Sequence, residues 1–304
     1  MPLFNGSIVA LVTPFDGGTV AWDQFDQLVE WHIEQGTHAI VPCGTTGESS
    51  TLSDDEHIAV IKRCVDVCQK NVPVIAGTGS NNTAYAIDLA KAAEEAGADA
   101  ALTVSPYYNK PSAEGLYFHF KSIHDSTNIP LILYNIPGRC VVDMSNDLIA
   151  RLSDLPRING IKDASNDLSR PNWMRLNCAQ DFCLLSGEDP TAAAYLAQGG
   201  HGCISVTANV APALCAQMHE AWQNRDIETF SKLRDQIYPL HAALFYESSP
   251  SPTKYALSRL GKCAPDTRGP ILPASEDCRR AVDSAMERVF GESLAVSQKS
   301  QKTA

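Results

Sequence analysis

The chain has 304 residues, 44% hydrophobic and 19% charged, enough apolar material for a large core and too little charge for a disordered polymer. Its formal net charge of −11 argues against nucleic acid and anionic membrane as partners, so an anionic substrate would need a locally positive pocket. The ten cysteines include no C-x-x-C pair, and Cys64 and Cys68 have helical rather than zinc-knuckle spacing. Reduced thiols in a cytoplasmic protein are expected. The opening Met1-Pro2-Leu3-Phe4-Asn5-Gly6 has no charged region ahead of an apolar run, so no secretory signal is expected, and no apolar run reaches membrane-spanning length.

Residues 7–15 (SIVALVTPF) read as a near-continuous apolar strand closed by Pro14, suited to a sheet buried on both faces. Asp23 is the expected cap of a helix through Phe25, Leu28, Val29 and Ile33 that stops at Gly36. Residues 38–44 form a second strand leading into Thr45-Thr46-Gly47-Glu48, and Ser53 with Glu56 makes a capping box. Residues 73–79 and 100–106 are strands three and four, separated by an Ala-rich helix over 83–96. Tyr107-Tyr108-Asn109-Lys110-Pro111 follows the fourth strand, and Ser112 caps the next helix. Residues 130–137 are strand five, with a short helix after Ser145. Strand six ends at Lys162, strand seven covers 182–189, and strand eight covers 202–209 with a helix from about Pro212. Strand–helix repeats at roughly 25-residue spacing give a (β/α)8 barrel over residues 1–225. An open doubly wound sheet would carry a G-x-G-x-x-G turn after an early strand, and none is present. Helical patterns at 227–245, 253–260 and 276–290 make a C-terminal helical region over 226–294, and residues 295–304 are expected to form a disordered tail.

Barrel chemistry collects at the C-terminal ends of the strands. Strand six is apolar through Ile158 and Ile161, carries Gly160 for a close approach, and closes on Lys162 ahead of the turn residues Asp163 and Ser165. An ammonium there loses hydration, and a neutral amine can attack a ketone to form a Schiff base. Alone, the same lysine could snorkel from a strand end. Thr45 and Thr46 offer hydroxyl and backbone donors suited to a small carboxylate, or ordinary turn chemistry. Tyr134 offers a phenol that can pass a proton, and Arg139, beyond Pro137-Gly138, can clamp a carboxylate with its planar fork. Tyr107 and Tyr108 read by themselves as packing or interface residues. No His, Cys, Asp and Glu group has metal-ligand spacing, and G-x-S-x-G is absent. Lysine, tyrosine, threonine hydroxyls and arginine together suit carbon–carbon bond chemistry through an imine between the lysine and a keto acid.

The motifs GTTGE (44–48), YNIPGR (134–139) and GIKDAS (160–165), with PVIAGTGSNNT, TVSPYYNKPS, LLSGED and GGHGCISVTANVAP, resemble the dihydrodipicolinate synthase family. That family lies within the pyruvate-dependent class I aldolase, or N-acetylneuraminate lyase, superfamily, and the likeness runs from about Gly6 to past Lys254. It implies a TIM barrel and a lyase that condenses pyruvate with aspartate-semialdehyde to 4-hydroxy-tetrahydrodipicolinate, in the diaminopimelate and lysine pathway. It implies no metal or organic cofactor and a homotetramer built from tight dimers. By resemblance, Lys162 forms the Schiff base and Thr45 and Thr46 hold the pyruvate carboxylate. Tyr134 relays protons with Thr45 and with Tyr108 from a neighbouring subunit. Arg139 binds the second substrate's carboxylate, and backbone oxygens near Gly187 and Ile204 complete the pocket. Sialic acid lyases and aldolases of 2-keto-3-deoxy sugar acids are the alternative. They share the lysine and tyrosine but lack the Gly-Arg, and a guanidinium without a carboxylate partner disfavours polyhydroxylated substrates. A non-catalytic keto-acid-binding barrel would not need an imine-forming amine. Ser49, His57, Asn81 and Tyr107 match a lysine-binding pocket found at the dimer interface of feedback-inhibited members. Asp54 and Tyr85 stand where that pattern has histidine and glutamate.

Overall fold

The structure is a computed structural model that describes residues 2–291; the expected tail over 295–304 lies outside the described residues. Eight strands form the barrel: β1 Gly6–Ala10, β2 Ala39–Val41, β3 Ile75–Gly77, β4 Ala100–Val104, β5 Leu131–Asn135, β6 Ile158–Asp163, β7 Cys183–Ser186 and β8 Gly202–Ser205. Each is followed by a principal helix: α1 Trp22–Glu34, α2 Asp54–Cys68, α3 Thr83–Glu95, α4 Ala113–Ser126, α5 Asn146–Ser153, α6 Arg170–Asn177, α7 Ala192–Ala197 and α8 Pro212–Gln223. Three more helices, α9 Ile227–Ala243, α10 Ser251–Arg259 and α11 Glu276–Phe290, form the C-terminal addition.

All strand pairs in the barrel are parallel, in the order β2-β1-β8-β7-β6-β5-β4-β3. A parallel bridge between Ile40 and Val74 and a 3.0 Å bond from Gly77 N to the Pro42 carbonyl join β2 to β3 and close the ring. The period-two alternation of strand side chains explains the two cores. Ile8, Val41, Ile75, Leu102, Ile132, Leu185 and Ile204 fill the barrel interior. Val9, Ile40, Leu133, Ile161 and Leu184 face outward against the helices. A third apolar cluster, with Leu240, Leu244, Ala256, Val282 and Met286, binds α9, α10 and α11 together. No helix among the described residues is long and apolar enough to cross a membrane.

The strands are shorter than the apolar runs in the sequence. The first run leaves the sheet after Ala10, where Val12 N donates to the Asn209 side chain at 3.1 Å. Phe15–Asp16 then pairs antiparallel with Thr19–Val20 across Gly17-Gly18, both at positive φ. Pro14, without an N–H, cannot extend a central parallel strand. Helix α1 starts at Trp22, with Asp23 in its first turn rather than at the cap, where its charge still favours the helix N-terminus. Strand β6 runs one residue past Lys162, to Asp163.

Candidate active site

Tyr134 and Lys162 are register partners on β5 and β6, so both side chains enter the barrel at the same level. Lys162 is 7% exposed and its Nζ stands 4.2 Å from the centroid of the Tyr134 ring, a cation–π contact in a largely desolvated setting. A side chain at Gly187, on the end of β7, would press to 3.1 Å from Lys162 Cε and 2.8 Å from Ala164 Cβ, so only glycine leaves the lysine its room. One strand earlier, a Cβ at Gly160 would come within 2.6 Å of Cys183. This is the close approach expected of a strand glycine.

Behind these residues a buried polar network locks the strand ends. Asn135 Nδ2 donates to Asp163 Oδ1 at 3.2 Å and to Asp143 Oδ1 at 2.7 Å, and its Oδ1 accepts from Met144 N at 3.0 Å. Arg170 Nε lies 3.3 Å from Asp163 Oδ2, and its Nη2 donates to the Met144 carbonyl at 2.6 Å. Burial raises the proton affinity of Asp163, and the Arg170 guanidinium opposes that shift. The network anchors the 137–144 segment, which carries Arg139. Helical turn Pro137–Cys140 lifts that arginine to the rim, exposed.

These groups open onto one cavity of about 590 Å³. Thr45, Thr46, Ser49, Tyr134, Arg139, Lys162 and Gly187 all line it. Among the described residues, Lys162 and Arg139 are its only basic side chains. The turn holding Thr45 and Thr46 is fixed by two non-glycine residues at positive φ, Cys43 at 55° and Glu48 at 56°, a conformation that tertiary contacts must support. The Gly47 carbonyl accepts from Thr13 Oγ1 at 2.7 Å, and Ser249 Oγ donates to Thr46 Oγ1 at 3.4 Å. Lys254 is fully buried, its Nζ 2.5 Å from Glu48 Oε1. The two form a buried ion pair, and the ammonium also donates to the Asp266 carbonyl at 2.8 Å. Burial lowers the Lys254 pKa, and Glu48 pulls it back up.

The cavity does not gather every expected residue. Ile204 sits in the barrel interior and is not a lining residue. Tyr108 is 88% exposed with φ 73°, and Tyr107 is partly exposed, so in a single chain neither phenol lines the site. Ser165, Asn166, Glu188, Phe245, Ser248 and Ser249 line it as well, none of them expected at the site. The first three directly follow the ends of β6 and β7, a position that in a barrel was signal enough. The last three come from the α9–α10 connection, and no pattern in the chain marks their return over the barrel mouth.

The Dihydrodipicolinate synthetase family profile matches residues 3–289. The chain belongs to that family. It is 58% identical over 284 residues to the 4-hydroxy-tetrahydrodipicolinate synthase of Rhodospirillum centenum, covering 93% of this chain and 98% of the relative. Among solved structures, the chloride-inhibited dihydrodipicolinate synthase of Acinetobacter baumannii complexed with pyruvate has a TM-score of 0.92 and 47% identity, covering 94% of this chain and 99% of that one. The enzyme from Cyanidioschyzon merolae with lysine bound has a TM-score of 0.92 and 33% identity, with coverages of 95% and 99%.

The residues expected to match a lysine-binding pocket are dispersed in their contacts. Ser49 lines the cavity; the His57 ring Nε2 is 2.7 Å from the Gly77 carbonyl, and burial lowers its pKa. Asn81 Nδ2 donates to the Tyr107 carbonyl at 3.1 Å. The two departing residues bond to one another, Tyr85 Oη donating to Asp54 Oδ1 at 2.5 Å. Burial, with that bond, pushes the Tyr85 phenol up to about 12.

Proposed function

We propose that the chain condenses pyruvate with aspartate-semialdehyde to give 4-hydroxy-tetrahydrodipicolinate through a Schiff base on Lys162. The observation that carries this reading is the Lys162 amine 4.2 Å from the Tyr134 ring on the wall of a cavity whose only other cation among the described residues is Arg139. The amine adds to the pyruvate ketone, the carbonyl oxygen leaves as water, and a C=N bond forms. The iminium draws electrons from the methyl carbon, which loses a proton, and the resulting enamine attacks the aldehyde carbon. The new C–C bond brings the amine of the second substrate to the imine carbon; its attack closes the ring and expels Lys162. Thr45 and Thr46 hold the pyruvate carboxylate, Tyr134 moves protons with Thr45, and the backbone near Gly187 completes the pocket. Arg139 takes the carboxylate of the semialdehyde through its fork. The pyruvate complex of the Acinetobacter relative supports the first substrate, and the names of the relatives support condensation over sugar-acid cleavage.

The reading includes a cytoplasmic homotetramer of tight dimers in which Tyr108 completes a neighbouring subunit's proton relay. The support is a phenol that its own chain leaves 88% exposed at a positive φ, an arrangement that needs tertiary or quaternary support. The test is borohydride trapping with pyruvate followed by mass spectrometry. Wild type should carry the adduct on Lys162. Lys162→Ala should lose it while keeping its circular dichroism, and an adduct on another lysine in that variant would overturn the mechanism.

A further inference from the structure

Glu188 follows Gly187 at the end of β7 and, among the described residues, is the only acidic side chain lining the cavity. Its backbone is committed: its N–H donates to Ser186 Oγ and its carbonyl accepts from the same hydroxyl, both at 3.1 Å. Its carboxylate has no hydrogen bond or ion pair among the described residues. The adjacent Asp189 is the opposite case. It points away from the cavity and accepts from Ser205 Oγ, from Val206 N at 2.9 Å and from Thr207 N at 3.2 Å. One of two neighbouring carboxylates is therefore spent on structure, and the other faces the substrates without a partner. Glu188 is partly buried; that burial chiefly raises its proton affinity, Asp189 adds to the effect, and Lys162 and Arg139 oppose it. A carboxylate so placed carries a desolvation cost that a cationic ligand group would offset.

The charges of the cavity match those of the proposed substrates. Of its two basic residues, Arg139 meets the carboxylate of the second substrate and Lys162 is the amine that reacts with pyruvate, whose carboxylate Thr45 and Thr46 hold. The cavity's one anion has no counterpart in pyruvate, whereas aspartate-semialdehyde brings one ammonium on the carbon that also bears its carboxylate. We infer that Glu188 is a specificity residue that binds the α-ammonium group of the second substrate while Arg139 binds its carboxylate. This rests on the synthase reading and adds the group that recognises the amine. Arg139 and Glu188 line the same cavity, as gripping one α-carbon requires.

The test separates ammonium recognition from every other role. Succinic semialdehyde has the same aldehyde and carboxylate but no amine, and is titrated as a competitor of aspartate-semialdehyde. Glu188→Gln should lower kcat/KM for aspartate-semialdehyde by roughly ten- to a hundred-fold, the scale of a lost charge-assisted hydrogen bond. It should leave inhibition by the des-amino aldehyde and borohydride trapping of pyruvate unchanged. Arg139→Ala should weaken both aldehydes. If Glu188→Gln weakens both aldehydes alike, weakens neither, or abolishes trapping, the assignment is overturned. A wild-type chain that turns over pyruvate with aspartate-semialdehyde but tolerates Glu188→Gln overturns this inference alone. A wild type inactive on that pair overturns the synthase reading and this inference together.

Discussion

Tyr134 does two things that a substitution can separate. Its ring packs under the Lys162 ammonium, and its phenol is the proposed proton carrier. Tyr134→Phe keeps the ring and removes the hydroxyl. General acid–base assistance is worth roughly 100- to 10,000-fold, so turnover should fall by that order while pyruvate trapping on Lys162 persists. Near-normal turnover in steady-state assays would leave the phenol without its role. At this scale the sequence spoke clearly where chemistry and position coincide. Lys162, Tyr134, Thr45, Thr46 and Arg139 are polar residues at strand ends, and all five line one cavity. Lys254 and Ser249 were illegible for a physical reason. Lys254 lies in a helix and Ser249 in the connection before it, both far along the chain, and their partners Glu48 and Thr46 are set by tertiary folding alone.

At the scale of elements, helix order and strand order follow from period and punctuation, whereas strand ends do not. The β1 ladder ends at Ala10, and apolar residues such as Leu11 and Val12 continue past it because they are still buried. The turn after β2 shows how one element depends on another. Glu48 holds it through Lys254 of α10, and its Oε2 accepts from Arg268 N at 2.9 Å. Phe15 lies between the two cations, 4.0 Å from Lys254 Nζ and 4.3 Å from Arg268 Cζ. Removing one member of a buried pair strands the other and costs about 3–5 kcal/mol, whereas replacing both by neutral groups of similar size can be nearly neutral. Lys254→Met should therefore lower unfolding stability in urea by about that amount, and Glu48→Gln with Lys254→Met should recover most of it. A double variant no more stable than the single one would show that the pair is not coupled.

For the whole molecule, folding buries imidazoles that the unfolded chain would protonate. Burial holds His32 and His219 down to about 3 and His119 to about 4, with Lys262 adding to the shift of His32 and His38 to that of His219. In the unfolded chain each returns to about 6.5. Between about 6.5 and the folded values the unfolded state binds more protons, so stability falls as pH falls through that window. Each such histidine contributes a slope of up to about 1.4 kcal/mol per pH unit. Glu56, held to about 2 chiefly by its hydrogen bonds with Arg268, adds loss in the same direction below about 4.5. The raised proton affinities of Asp163 and Glu188 work the other way. Acidification also relieves self-repulsion from the net charge of −11, but surface charges are screened within about 8 Å at physiological salt, whereas the buried imidazoles are not. The histidine effect should therefore dominate just below neutrality. Urea unfolding at pH 7, 6 and 5 should show stability nearly flat above 6.5 and then declining by several kcal/mol toward pH 5. Constant stability over that range would mean that these side chains take up protons without unfolding, and that the buried imidazoles are not what limits the barrel in acid.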